Sequence, residues 1–276
     1  MQQLFKYLPS NRLSVIQDLQ IRFTQLSSLN DPFEMYHSLD VTTPIENVMN
    51  GGIAEVNELW NRLSPEEKTL EKSDYLEAIN SIELHCEGII NQAKLTRDLS
   101  NYLDNHLGIL SLTEVFDSLL MWSHYANSSQ GFVLGFHSGH PWLHKTTESG
   151  TVSEPMKVKY STKRSKVGDF SSINDALAVK PIDWSYEKEH RLCIQFKGLK
   201  PLNDNGKPIK DEFGNEIYLV NFPSELVSSV YLGARISEQN KQAIFDALEI
   251  NEINCPVYEG YFCSESFAMK FREIST

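Results

Sequence analysis

Cysteine is scarce in this sequence, and no two cysteines stand at metal-binding or redox spacing. Cys86, Cys193, Cys255 and Cys263 are widely separated, which excludes a zinc ribbon, a Cys-x-x-Cys redox motif and a small disulfide-stapled scaffold. Cys193 lies in the apolar run Leu192-Cys193-Ile194 and reads as a buried, inert thiol. Long hydrophobic runs are also missing. None approaches the roughly 20 residues that span a bilayer, and the segment from Met1 to Tyr7 lacks the apolar core of a signal peptide. The expectation is a cytoplasmic protein with no membrane partner. Neither a Gly-x-Gly-x-x-Gly nor a P-loop pattern occurs, which leaves Rossmann-type and Walker-type nucleotide binding unsupported. The absence of a Gly-x-Ser-x-Gly elbow argues against Ser111 as a hydrolytic nucleophile. Basic residues are outnumbered, 25 Lys and Arg against 37 Asp and Glu, for a net charge of −12. That balance argues against broad nucleic-acid binding, which needs a basic surface. The run Lys157, Lys159, Lys163, Arg164, Lys166 reads as a solvated loop, with a local basic groove as the alternative.

What is present is an ordinary globular composition, with 41% hydrophobic and 22% charged residues over 276 positions. No low-complexity linker divides the chain, so residues 1–276 read as one domain. Strand-like patterns fall at residues 4–7, 20–24, 108–113, 132–136, 157–160, 192–196, 217–220, 227–232, 257–262 and 267–271. Between them, Asn11 is a candidate cap for a helix to residue 19, and Asp117 for the helix carrying Trp122 to Tyr125. A helix is also expected over residues 171–179, and Ser237 caps one running to about residue 248. Residues 44–105 are polar and helical. Ser64-Pro65-Glu66-Glu67 marks a helix start there, and Gly51-Gly52 suggests an interruption or a junction of two helices. This stretch is expected to be a helical insertion covering a sheet. Irregular strand spacing without a βαβ rhythm predicts an α+β fold with a mostly antiparallel sheet, continuous or split.

Three segments are dense in chemically capable side chains. The first is Asn30-Asp31-Pro32-Phe33-Glu34, where Pro32 fixes a turn; Asp31 and Glu34 are read as caps, with metal binding as the alternative. The second is Met121-Trp122-Ser123-His124-Tyr125-Ala126, entering a strand through Gly131. Rings with polar tips suit a pocket wall, where the apolar body packs inward and the tip reaches a ligand. His124 is a candidate general base there. The third is Trp184-Ser185-Tyr186-Glu187-Lys188-Glu189-His190-Arg191. If that segment is extended, Glu187 and Glu189 point the same way. Their repulsion would raise one pKa, and Arg191 could orient a carboxylate bidentately.

Taken together with Leu4-Phe5-Lys6-Tyr7, Leu110-Ser111-Leu112-Thr113 and Leu26-x-x-Leu29, these segments resemble the bacterial domain-of-unknown-function family 2971. The resemblance spans most of the chain outside the helical stretch. It implies a cytoplasmic protein, with a role in phage defence among the suggestions, and no reaction. A second resemblance, to ADP-ribosyltransferases, rests on the order of first strand, Ser-x-Thr strand and Glu-x-Glu motif. It implies NAD as co-substrate and an ADP-ribosyltransferase-like fold. Lys6 or Tyr7 would hold NAD, Ser111 and Thr113 would support the nicotinamide pocket, and Glu189 would stabilise the oxocarbenium-like transition state, with Glu187 beside it. Lys6 departs from the Arg or His of that pattern.

The leading expectation is therefore an NAD-using transferase or glycohydrolase of a defence or toxin system, with an unidentified macromolecular acceptor. Its catalytic set is Glu189, Glu187 and His124. Its binding set is Lys6, Tyr7, Ser111, Thr113, Trp122, Tyr125, Tyr186 and Arg191, and no metal is called for. One competing expectation is a carboxylate–metal nuclease or phosphohydrolase built on Asp31, Glu34, Glu187 and Glu189. The other is a non-catalytic module that senses a nucleotide or binds a protein.

Overall fold

Alternation along the first strand sets the architecture. In β1 (Gln3–Leu8), Leu4 and Leu8 join one apolar cluster while Phe5 and Tyr7 join another, so both faces of the strand are covered. The computed structural model of the chain describes residues 3–33, 45–146, 152–163 and 177–274. Glu34, Arg164, Lys166 and most of the helix expected over 171–179 lie outside them.

After β1 come a 3-10 turn and a four-residue helix, α1 (Ser14–Gln17), then β2 (Gln20–Phe23). Asn11 falls inside the 3-10 turn and caps nothing, so the single helix expected here is two short pieces. The helical stretch follows as α2 (Ile45–Arg62), α3 (Pro65–Leu70) and α4 (Lys72–His106). Next are β3 (Leu107–Thr113), α5 (Leu119–Tyr125), β4 (Phe132–His137), β5 (Lys145–Thr146), β6 (Val152–Ser153), β7 (Met156–Lys157), β8 (Lys159–Ser161) and β9 (Val179–Pro181). The chain continues through β10 (Glu189–Gln195), β11 (Asn203–Asp204), β12 (Lys207–Pro208), β13 (Tyr218–Asn221), β14 (Val227–Leu232), α6 (Glu238–Ile250), β15 (Val257–Phe262) and β16 (Met269–Ile274).

Among the described residues, eight strands join in the order β16-β15-β14-β4-β1-β3-β10-β7. Only β14–β15 is parallel within that sheet, so the fold is α+β and mostly antiparallel. β4 and β14 are central and buried almost throughout. One face packs Phe132, Leu134, Phe136, Val230 and Leu232 against Ile16, Ile244 and Leu248 of α1 and α6. The other packs Phe5, Tyr7, Val133 and Tyr231 against Met121 and Trp122 of α5, with Phe116 and Phe271 closing an aromatic cluster. Phe116 stacks on Tyr231 at 4.4 Å between ring centres, an arrangement that adds to area burial.

The sheet opens in one place. β1 forms six register pairs with β4 and β10 forms seven with β3, but β1 meets β3 at one pair alone, Phe5 opposite Thr113. Further along, Ile109 exchanges both backbone hydrogen bonds with Thr24 instead (2.9 and 2.8 Å). Between these contacts the edges of β1 and β3 part. The split contemplated from the sequence therefore takes the form of a wedge-shaped opening in a sheet held together by a single pair.

Among the described residues, the helical stretch meets the sheet at its last turns rather than covering it. α2 and α4 run as a hairpin in which Trp60 stacks on Tyr75 at 4.4 Å and Tyr75 donates to Asn57 (2.7 Å). Ser64 caps α3 as expected, and with Glu67 it forms a capping box. Gly51 and Gly52 interrupt nothing, lying within α2, where Gly52 faces Ile82 of α4. α4 has 35 residues, about 52 Å at 1.5 Å per residue. Among the described residues, its last turns reach the body, where Leu99 and Leu103 pack with Leu26, Leu29, Ile109 and Leu177. Leu59, Leu70, Leu76 and Leu84 remain exposed along the hairpin. No helix among the described residues is long and apolar enough to cross a membrane.

The turn joining α5 to β4 depends on a missing side chain. A Cβ on Gly131 would lie 2.1 Å from the Leu8 carbonyl oxygen and 3.0 Å from the Cα of Pro9, and both are backbone atoms with little room to yield. Gly131→Ala should therefore lower stability by about 1–3 kcal/mol, the scale of overpacking. Gly139→Ala, where a Cβ meets open space, should change it by less than about 0.5 kcal/mol. Urea denaturation of the two variants checks the contrast, and equal midpoints would refute it.

Candidate functional site

The opening between β1 and β3 is a cavity of about 230 Å³. Phe5, Lys6 and Tyr7 form one side, and Ser111, Leu112 and Thr113 the other. Ser28, Leu29 and Asn30 close it from the loop after β2, while Met121 and Tyr125 reach it from α5. Lys180, Glu187 and Glu189 supply the remaining charge. Separation of the two strands leaves the Ser111 carbonyl without a ladder partner, and the Lys6 ammonium donates to it instead (3.0 Å). A cation in the gap thus replaces a missing backbone donor, as buried carbonyls require.

The loop wall is held by a polar cluster that reaches the cavity at Ser28. Ser27 donates to Asp104 through its amide and its hydroxyl (both 2.8 Å). Ser28 and Arg22 donate to Asp211 (both 2.6 Å), and the Asn215 side chain donates to both serines. Burial works to raise the Asp211 pKa, but Arg22, Ser28 and the Asn215 amide outweigh it and hold the carboxyl at about 2. Asp31 is buried and accepts from the Phe33 amide (3.0 Å), so it fixes the turn at Pro32 and does not line the cavity.

A continuous polar chain crosses the site. Asn30 donates to the Tyr125 hydroxyl, and that hydroxyl donates to Glu187. Lys180 donates to Glu187 (2.7 Å) and Glu189 (3.3 Å). Arg191 donates to both oxygens of Glu189 (2.9 and 3.1 Å) and to the Leu177 carbonyl (2.7 Å). All three residue-dense segments meet in this chain.

Its local geometry differs from the extended strand expected for Glu187 and Glu189. Glu187 ends a 3-10 helix over Ile182–Glu187, Lys188 adopts a left-handed conformation (φ 43°), and Glu189 begins β10. The turn at Lys188, rather than strand alternation, brings the carboxylates together. Glu189 is fixed by the Tyr160 hydroxyl, which accepts its amide (2.8 Å). Tyr160 lies beside Lys180 in the parallel β8–β9 pair.

At Glu189 the charge balance runs opposite to a repulsion-raised pKa. Burial pushes Glu189 upward, yet Arg191 and Lys180 prevail and hold it at about 2. Burial raises the Tyr125 phenol far above its ordinary range, and the Glu187 carboxylate adds to that, keeping it a hydrogen-bond donor. Burial lowers Lys6 to about 8 despite both glutamates. With Lys6 protonated, the cations Lys6, Lys180 and Arg191 outnumber the carboxylates Glu187 and Glu189 in and behind the cavity wall.

Of the residues proposed from the sequence, Lys6, Tyr7, Ser111, Thr113, Tyr125, Glu187 and Glu189 line this cavity. Trp122 lies behind the wall, fully buried, with its indole N–H on the Phe116 carbonyl (2.7 Å) and its ring edge-on to Tyr7. Arg191 is buried behind Glu189. His124 is exposed, its ring 6.5 Å from that of Tyr186, and neither residue belongs to the lining. A base at His124 would act from outside the cavity. The helix cap next to this cluster is Ser118, one residue beyond the expected Asp117. Sequence reasoning missed Lys180, an isolated lysine between Val179 and Pro181 with no distinguishing spacing, and it missed Asn30, whose neighbours Asp31 and Glu34 drew the attention. Among the described residues, no three His, Cys, Asp or Glu side chains gather as a metal site requires.

Residues 121–192 match the model of a family described as Protein of unknown function (DUF2971). The family read from the sequence is the one matched, over a segment that contains Tyr125, Lys180, Glu187, Glu189 and Arg191. No curated protein and no solved structure matches the chain.

Lys6 gives a pH-dependent signature. Its amine holds fewer protons folded than unfolded between about pH 8 and the ordinary lysine value of 10.5, so its contribution makes folding stability rise with pH across that window. The burden relieved is on the order of 3 kcal/mol. The stability of Lys6→Met relative to the parent should therefore be highest at pH 7 and fall between pH 8 and 10. Urea unfolding at pH 7, 8, 9 and 10 measures it; a constant difference would contradict the assignment.

Proposed function

We propose that this protein breaks the nicotinamide–ribose bond of NAD in the cavity between β1 and β3, releasing nicotinamide and passing ADP-ribose to water or to an acceptor. The observation that carries the proposal is the convergence on one cavity of Lys6 from β1, Ser111 and Thr113 from β3, Glu187 from the end of the 3-10 helix before β10, and Glu189 from the start of β10. This is the combination that the resemblance to ADP-ribosyltransferases implies.

The chemistry follows from what each side chain can do. Breaking the bond builds positive charge on the ribose, and an ionised carboxylate held in place stabilises that charge without reorganising. Glu189 has that character, anionic and fixed by Arg191, Lys180 and the Tyr160 hydroxyl. Glu187 has fewer donors on it, Tyr125 and Lys180, and keeps acceptor capacity to orient a hydroxyl or an incoming nucleophile. Lys6 offers an ammonium to the diphosphate, and the rings of Phe5, Tyr7 and Tyr125 offer apolar surface to the pyridinium. NAD consumption of this kind suits an effector of a defence or toxin system.

The metal-nuclease reading is weaker on these contacts, because Lys180 and Arg191 already claim the carboxylate oxygens of Glu187 and Glu189. A site that binds a nucleotide without turnover uses the same cavity, and the assay separates the two.

Incubation with NAD, with chromatographic detection of nicotinamide and ADP-ribose, should show turnover that persists when EDTA is present. Glu189→Gln should lower it by roughly 100-fold or more, the scale of one transition-state contact. It should also destabilise the fold, because buried Arg191 loses its carboxylate and Lys180 loses one of two; the full loss of a buried partner costs about 3–5 kcal/mol. Rates are therefore compared on samples shown to be folded by circular dichroism. Glu187→Gln should impair transfer to an acceptor more than NAD cleavage. Equal turnover by folded parent and Glu189→Gln would rule out the assignment, as would strict dependence on a divalent cation or saturable NAD binding with no nicotinamide released.

A further inference from the structure

We propose that Lys180 is a positioning residue whose ammonium fixes Glu187 and Glu189 as a doubly ionised pair on the cavity wall. Lys180 is 3% exposed and lies 2.7 Å from Glu187 Oε2 and 3.3 Å from Glu189 Oε2. The two carboxylates are themselves 3% and 4% exposed. Where water is excluded, two carboxylates sharing one site cannot both stay ionised without a counter-charge, and one takes up a proton. Arg191 supplies a counter-charge to Glu189, through Nε and Nη2. Among the described residues, Glu187 has Lys180 as its cation and the neutral Tyr125 hydroxyl as its other donor.

The other titratable groups facing the pair are Lys6, Tyr125, Tyr160, Tyr186 and Arg191. None can replace Lys180. The Lys6 ammonium is engaged by the Ser111 carbonyl, the three phenols are uncharged, and Arg191 directs Nε and Nη2 to Glu189 and Nη1 to the Leu177 carbonyl. Lys180 is itself held in place. β9 is tied to β8 with Lys180 opposite Tyr160, the same tyrosine that accepts the Glu189 amide. The Trp184 ring lies 4.8 Å from the Lys180 nitrogen, a cation–π contact that limits where the ammonium can go. The ribbon β8–β9 thereby sets the spacing of the carboxylates through one lysine.

The ionisation of the pair stands on this geometry; its bearing on turnover rests on the NAD reading, so the two are measured separately. Carbon NMR of the full chain labelled at glutamate side-chain carboxyls, titrated from pH 3 to 8, reads the pair without any ligand. The signals are assigned from Glu187→Gln and Glu189→Gln. In the parent, neither carboxyl should titrate above about pH 5, as for carboxylates paired with cations. In Lys180→Met, one of them should titrate above about pH 6, as for a carboxyl sharing a site with a like charge. In Lys180→Arg and in Lys180→Met/Glu187→Gln, that high titration should vanish. If Lys180→Met does not stay folded over this range, thermal melting at pH 7 tests the same coupling: adding Glu187→Gln to Lys180→Met should raise its melting temperature, although the same change lowers that of the parent. A Lys180→Met titration identical to the parent's, or simply additive losses in the double variant, would overturn the proposal. Nicotinamide release by the same proteins is recorded independently, and its absence in the parent bears on the NAD reading alone.

Discussion

Charge compensation inside the opening of the sheet is the constraint on which the site depends. Glu187 and Glu189 are almost fully buried, and each would be costly there without a partner. Lys180 serves both, Arg191 serves Glu189, and Lys6 projects into the same gap. These five side chains come from β1, β9, the 3-10 turn before β10, and β10 itself. Elements far apart in sequence are thus tied to one small volume by the need to neutralise buried charge. Such an arrangement adds little net stability, but the loss of any member is expensive, and that makes the geometry specific.

The opening is itself a solution to a backbone problem. A strand edge inside a protein cannot leave its carbonyls and amides unpaired. β3 meets the requirement by changing partners along its length: Phe5 at one end, Thr24 at the other, and the Lys6 ammonium for the Ser111 carbonyl between them. The result is a cavity between strands with hydroxyl, amide and charged groups on its wall, surrounded by a well-packed aromatic and aliphatic core. α5 supports it from one face through the buried Trp122, which backs Tyr7 and leaves Tyr125 free to reach the cavity.

The helical hairpin has a different character. Its polar composition and exposed leucines set it apart from the sheet, and its last turns dock beside the β3 edge that Thr24 caps. Asp104 near the end of α4 reaches Ser27, so the hairpin also anchors the loop that carries Asn30. Among the described residues, Asp104 and a small apolar cluster link its base to the cavity wall.

Local chemistry made much of this legible from sequence. Strand-like patterns marked β1, β3, β4, β14 and β15, and Ser64-Pro65-Glu66-Glu67 marked a helix start, because those signals depend on neighbours only a few residues away. Asn205-Gly206 makes the tight turn between β11 and β12, both residues accepting positive φ. The density of rings and acids in three segments marked where a site would form. What the sequence could not specify is which partner each edge and each charge would take. The parting of β1 from β3 is decided by Thr24 competing for the Ile109 backbone, a contact between residues far apart in the chain. The approach of Glu187 to Glu189 is decided by a left-handed Lys188 and by Lys180, whose position comes from the β8–β9 pairing. His124 and Trp122 looked alike as pocket candidates in the same short helix as Tyr125, yet helical geometry turned one to solvent and the other into the core. Periodicity states which faces are apolar; only packing in three dimensions determines which polar groups are buried together, because their cost is met by partners that are distant in the chain.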